Sequence, residues 1–299
     1  VGEFPELQGR MGYYYALEDD ESEAVATAIE EQYLPRHAGD RLPATAAGAA
    51  LAVADRIDTI AGITSLGKKP SGNKDPFALR RAALGVLRIL IEQGIEIDLV
   101  QLLRDAIALQ PGKKKQTDEL LEWLSEFFMD RLRRYYLEGH APGITAADVT
   151  PEMFESVRAR RPVSPLDFHQ RLLAVSTFMQ LEAANSLAAA NKRIANILRQ
   201  SDADQTTDID AALFDCDEER QLHTLVSQLE SVHQQRIAAR DYGQVLQQLA
   251  TLREPVDAYF DGVMVMADDR ARQHNRIAQL VRLRRLFMDV ADLSCIPTG

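Results

Sequence analysis

Apolar residues recur along this chain every three or four positions and strict alternation is absent, so the pattern predicts helices throughout. In KDPFALRRAALGVLRIL, residues 74–90, a single helical face collects Leu79, Ala83, Val86, Leu87 and Leu90, and Ile91 extends it. Asp75 and Pro76 precede that face as start signals: an acceptor for free backbone N–H groups, then a residue tolerated in a first turn. The same spacing predicts helices over 19–33, 45–63, 98–109, 117–138, 164–199, 218–240 and 242–252. Two short helical stretches fall within 145–161, another starts at Pro255, and a last helix runs from Ala267 or Asp268 to about Ala291. Gly- and Pro-bearing breaks separate them: GKKPSGNKDP at 67–76, PGKKKQ at 111–116 and GHAPG at 139–143. No internal repeat interrupts the pattern. The fold class is all-α, in helical bundles.

Composition bounds this picture more than it changes it. At 299 residues the chain has room for two or three domains, and 46% hydrophobic with 26% charged residues suits a globular protein. No apolar run approaches the roughly 18 residues of a membrane span, and nothing after Val1 resembles a signal peptide. Cys216 and Cys295 lie far apart without a C-x-x-C, as expected of reduced thiols in a cytoplasmic protein. The start at Val1 suggests a portion of something longer.

Charge changes the picture locally. The net charge of −11 argues against a bulk nucleic-acid binder, yet residues 201–219 hold eight acids and no base, and 270–285 hold six arginines and no acid. The acidic run reads as a solvated, mobile connection. Arg81 and Arg88, seven apart, share a helix face with Leu84 and Gly85, and with Arg80, Lys68, Lys69 and Lys74 they make a basic edge.

Catalytic motifs are not evident. GITSLGKK, residues 62–69, misses the phosphate loop because Lys69 stands where a Mg²⁺-binding hydroxyl belongs, with a helix before it and Pro70-Ser71-Gly72 after it. His37, His140, His169, His223, His233 and His274 show no metal-ligand spacing, and no Ser or Cys carries a nucleophile signature. AVADRIDTI places Asp55 and Asp58 one turn apart. That segment is similar to the last metal-ligand helix of HD-type phosphohydrolases, but the paired His-Asp and further His of those enzymes are not visible. A degenerate HD-like domain, holding no metal, is the expectation.

Longer stretches carry a more specific resemblance. EFPELQGRMGYYYA (3–16), YLPRHAGDRLP (33–43), AVADRIDT (52–59), PSGNKDPFALRRAALGVLRIL (70–90), NKRIANIL (191–198) and LREPVDAYFDGVMVMADD (252–269) resemble, in order, the β subunit of the bacterial two-subunit glycyl-tRNA synthetase. The arginine-rich end through LFMDVADLS (286–294) does so too. The resemblance implies a C-terminal portion cut inside an HD-like helical domain (1–110). A helical linker (111–163) and an α-helical anticodon-binding domain like that closing arginyl-tRNA synthetases (164–299) follow. It also implies glycine tRNA and a separate α subunit as partners, with ATP and Mg²⁺ used on that α subunit and no cofactor in this chain; neither DNA nor membrane is expected.

Phosphates need rows of Lys or Arg, and unstacked bases need Arg, Asn or aromatic partners. The tRNA-binding candidates are Arg80, Arg81 and Arg88; Lys192, Arg193 and Asn196; and Arg272, Arg276, Arg282 and Arg285, with the helices of the last two groups expected to meet. Ordinary helix solubilisation competes with this reading. Leu280, Leu283, Phe287 and Val290 are core positions, and Val256, Tyr259, Phe260, Val263 and Met264 are expected to pack. A divergent phosphohydrolase and a non-catalytic protein-interaction scaffold stand as alternatives.

Overall fold

Helix starts are set by side-chain caps, and these shift several of the expected boundaries. The computed structural model describes residues 3–111, 117–201 and 208–297, and among them it contains α-helices and one isolated antiparallel bridge, Ser71 to Lys74, but no strand. Two compact units divide the chain: Val1–Thr145 with Val163–Leu166, and Ala146–Pro162 with Asp167–Gly299. The expected linker, 111–163, thus contributes to both, and most of the PGKKKQ turn (112–116) lies outside the described residues.

The first unit holds α1 (Arg10–Glu18), α2 (Glu23–Glu31), α3 (Ala46–Ser65), α4 (Leu79–Glu92), α5 (Leu99–Leu109) and α6 (Thr117–Leu137). Ser22, Thr45 and Asp98 accept the backbone N–H three residues on, opening α2, α3 and α5. Helix α4 starts three residues later than Asp75-Pro76 suggests. Asp75 still caps it, accepting the N–H of Leu79 and of Arg80, each at 2.9 Å, across a turn that Ala78 closes with φ 54°. Helix α3 packs on α2, α4 and α5, and α6 on α4 and α5. Ile57, Ile60, Val86, Leu87, Leu90, Leu103, Leu124, Phe128 and Tyr136 are among the buried side chains.

Two polar clamps tie these helices together. Glu31, buried at the end of α2, accepts the N–H of Ala44, the N–H of Thr45 and the Thr45 hydroxyl. Burial pushes its pKa up, but those hydrogen bonds win and hold it below the usual value. Arg56, buried in α3, donates to the carbonyls of Ala52 (2.8 Å), Gln32 (2.9 Å), Tyr33 (3.1 Å) and Pro35 (3.1 Å). Both clamps require a glycine opposite. A Cβ on Gly48 would sit 2.1 Å from Glu31 Oε2, and one on Gly85 would sit 2.9 Å from Arg56 Nε.

The second unit holds α7 (Pro151–Arg158), α8 (Pro165–Met179) from Asp167 on, α9 (Ala184–Gln200), α10 (Asp217–Ala238), α11 (Tyr242–Ala250), α12 (Arg253–Gly262) and α13 (Arg270–Met288). The single helix expected over 164–199 is therefore two. Its buried stripe runs through Phe168, Leu172, Val175 and Phe178 and then restarts at Ala184, Leu187 and Ala188, while Glu182 and Asn185 are exposed. That change of phase is one a continuous helix cannot follow. Helix α13 packs on α9, α10 and α11, with Leu280, Leu283, Phe287 and Val290 buried as expected. Val256, Tyr259 and Val263 are buried too, whereas Met264 is 74% exposed.

The acidic run is not a free connection where it is described. Asp210 and Asn275 pair through two hydrogen bonds, 2.8 and 3.0 Å. Glu219, with no exposed surface, accepts Arg276 Nε at 2.8 Å and the N–H of Asp215 at 2.7 Å. Asp215 Oδ2 accepts Arg276 Nη2 at 3.0 Å and Arg272 Nη1 at 2.7 Å. The acid-rich and arginine-rich tracts are partners; residues 202–207 of the former lie outside the described residues.

Gly48→Ala and Gly85→Ala should each lower stability in urea unfolding by about 1–3 kcal/mol, the cost of overpacking a close contact. Gly243→Ala, with nothing within 4 Å of the added Cβ, should be neutral or stabilising by about 0.5–1 kcal/mol. Burial raises the Glu219 pKa, but Arg276 and the Asp215 N–H pull it below the usual carboxylate value. Its contribution is therefore complete above the unfolded value of about 4.3 and disappears as pH falls through the lower folded value. Glu219→Gln should cost about 3–5 kcal/mol at pH 7, and the gap to the parent should narrow in unfolding curves taken below about pH 4.

Candidate nucleic-acid interface

Helix α13 offers fewer free cations than its sequence suggests. Arg276 is buried, with Nη1 on the Met264 carbonyl at 2.9 Å and its other donors on Glu219 and Asp215. The hydrogen bond to Glu219 raises its pKa against the effect of burial. Arg272 is exposed but paired with Asp215. Arg282 is half-buried, with Nε on Glu230 at 3.0 Å and Nη2 on Ser227 at 3.2 Å. Arg284 pairs with Asp292 at 3.3 Å. Arg285 alone of the four α13 candidates is exposed without an ion-pair partner among the described residues; it lines a shallow groove with Glu230, His233, Gln234 and Asp289.

Helix α9 presents the clearer row. Its buried face, Leu187, Asn191, Ile194, Ala195 and Leu198, turns Lys192, Arg193, Asn196 and Arg199 to the exterior. The Arg193 guanidinium lies 4.3 Å from the Phe260 ring centroid, which orients it without neutralising it. Asn196 Oδ1 accepts Arg199 Nη1 at 3.3 Å. Helices α9 and α13 do meet, and Arg199 and Arg284 line one groove together with Asp292 and Ser294.

In the first unit the three arginines of α4 part company. Arg81 is exposed and Arg80 half-buried, but Arg88 is buried and structural. Its Nε bonds Glu92 at 2.7 Å and its Nη1 bonds the carbonyls of Ala38 and Asp40 at 2.7 and 3.0 Å. Arg88 and Arg276 are thus removed from any phosphate-facing row: both guanidinium groups point inward, and each of their nitrogens donates to an internal acceptor. Their partners are largely remote in sequence, so charge spacing along one helix does not reveal them.

The carboxylates of the HD-like segment are both exposed, and Asp58 accepts the Gln110 side chain at 2.8 Å. Among the described residues no group of three His, Cys, Asp or Glu side chains converges to hold a metal ion. The inward residue of Ala-Asp-Arg is the arginine, Arg56. Its place between buried Val53 and Ile57 on an apolar stripe is the signal that could have found it. Phe77, exposed beside Lys68, is a second residue the sequence reading passed over.

Known proteins match this arrangement along its length. Residues 1–149 match the family model of the glycyl-tRNA synthetase beta subunit, and residues 187–296 match that of the DALR anticodon binding domain. The glycine–tRNA ligase beta subunit of Ectopseudomonas mendocina is 49% identical over 296 residues, covering 99% of this chain and 42% of the relative. That of Pseudomonas aeruginosa is 50% identical over 297 residues, and that of Pseudomonas entomophila 47% over 296, with the same coverage. The chain therefore spans 42% of the length of the curated relatives it matches. No helix among the described residues is long and apolar enough to cross a membrane. Two helical units, a basic α9 face within the anticodon-binding match, and identity near one-half from end to end make this chain a member of the glycyl-tRNA synthetase beta subunit family.

Proposed function

We propose that this chain recognises glycine tRNA in a cytoplasmic glycine–tRNA ligase. In this reading the ATP- and Mg²⁺-dependent attachment of glycine takes place on a separate α subunit. The observation that carries the reading is the exposed Lys192, Arg193, Asn196 and Arg199 row on α9, inside the segment that matches the DALR anticodon binding domain. Two of these cations suit phosphate oxygens: Lys192 as a point charge and Arg193 as a planar fork held over Phe260. Asn196 offers its amide N–H donors to an unstacked base edge, its Oδ1 already accepting from Arg199. Arg285 adds a further cation on α13.

Gel shifts at several salt concentrations test this. Glycine tRNA should bind more tightly than an unrelated tRNA, and equal affinity for the two would sink the proposal. Lys192→Gln with Arg193→Gln should reduce the slope of log K against log salt by about 1.4–1.8, the value for two lost phosphate contacts. Arg276→Gln is a poor probe of binding because it breaks the buried pair with Glu219.

A further inference from the structure

We propose that the loop from α3 to α4 forms a second RNA site, taking one unpaired nucleotide with its base on Phe77 and its flanking phosphates on Lys68, Lys69 and Lys74. The inference rests on the reading that the chain binds tRNA and places a contact outside the segment matching the anticodon-binding domain.

Charge separates this loop from the rest of the protein. Residues 64–82 carry Lys68, Lys69, Lys74, Arg80 and Arg81 against one acid, Asp75, whose two oxygens already accept the Leu79 and Arg80 N–H groups. None of the five cations has an ion-pair partner among the described residues, unlike the arginines of α13 that face Asp215, Glu219, Glu230 and Asp292. In a chain of net charge −11 this is a local concentration of positive charge. Asp75 also occupies the start of α4, so anion binding here falls to the lysines rather than to the helix end.

Shape and aromatic content point to a nucleotide. Lys68, Lys69, Pro70, Lys74, Phe77 and Leu79 line a cleft of about 270 Å³. Phe77 is 42% exposed at that cleft, with Lys68 Nζ 5.4 Å from its ring centroid, and Lys69 Nζ lies 4.6 Å from the centroid of Trp123. The backbone holds these groups in place. Ser71 and Lys74 exchange both backbone hydrogen bonds (3.1 and 2.9 Å) around Gly72, and Ala78, next to Phe77, keeps the left-handed φ of 54°. A strained non-glycine residue beside an exposed ring is the kind of feature that persists where it serves a site. An aromatic face with lysines around it suits a single strand, since paired bases in an A-form helix do not present a face for stacking.

Titration of fluorescent glycine tRNA into the protein, followed by anisotropy at several salt concentrations, tests the proposal. Phe77→Ala should weaken binding by about 5- to 100-fold with the salt slope unchanged, and Phe77→Trp should retain affinity. Lys68→Gln with Lys69→Gln and Lys74→Gln should lower the slope by about 2. Thermal melts matching the parent confirm that the variants fold. Parent binding of glycine tRNA with all variants within twofold would overturn the site while leaving the tRNA reading intact. Failure of the parent itself to bind glycine tRNA would overturn that reading. Variants that lose association with the α subunit in sedimentation but keep tRNA affinity would make the loop a protein contact. Complete competition by millimolar AMP would make it a free-nucleotide pocket; both results overturn the proposal.

Discussion

A guanidinium group taken out of water must have its N–H donors met, and that requirement organises both units. Arginine carries five such donors in a fixed plane, so one buried side chain can tie together several backbone segments at once. Arg56 holds the carbonyls of Gln32, Tyr33 and Pro35 against α3. Arg88 holds Ala38 and Asp40 against α4. Arg171 bonds Asp167, Tyr242 and the carbonyls of Asp289 and Val290, and Arg276 gathers Asp215, Glu219 and Met264 around α13. Four residues thus position loops that apolar packing alone would leave without direction. Removing one partner leaves a buried charge or several buried carbonyls unmatched, which costs more than the net gain of forming the contact.

This use of arginine redraws the charge map. The run 270–285 looks like a polyanion-binding stripe, but Arg272, Arg276, Arg282 and Arg284 face acids from 215–230 and from Asp292. Within that run Arg270 and Arg285 are left exposed without an ion-pair partner among the described residues, and the α9 row and the loop before α4 add further exposed cations. Exposed Met264 fits the same logic: Arg276 grips its carbonyl, so the backbone is fixed while the side chain stays in solvent. The expectation that Met264 packs followed from helical spacing, whereas α12 ends at Gly262 and the chain leaves the helix before it.

Much of the fold was legible because helical periodicity is a local property. The stripe of α4, the caps at Thr45 and Asp98 and the breaks at Gly67 and Gly139 are all written within a few residues of where they act. What was not legible depends on pairs far apart in sequence. Arg276 and Glu219 are 57 residues apart, and nothing in RARQHNRIAQLVRLRR distinguishes the arginine that turns inward. The complementary acid tract was visible but read as solvated, because opposite charges in separate segments do not disclose contact. Gly85 was seen beside Arg81 and Arg88, yet its role concerns Arg56 on α3, a neighbour in space only. The split between α8 and α9 contains neither Gly nor Pro and shows itself as a slip in apolar phase.

The division between arginine and lysine carries the functional argument further. Arginine is weakly hydrated and bidentate, which favours it where water is excluded and acceptors are fixed, and the buried cations named above are all arginine. The loop before α4 instead uses three exposed lysines, strongly hydrated point charges on long stems that can follow a phosphate without a set geometry. Such contacts gain from counterion release and are sensitive to salt, whereas the internal arginine pairs are shielded from it. In the proposed tRNA-binding reading, raising ionic strength therefore strips RNA from this protein well before it loosens either unit. In that same reading the net negative charge works in the same direction, repelling a polyanion from most of the surface and favouring the α9 row and the loop before α4.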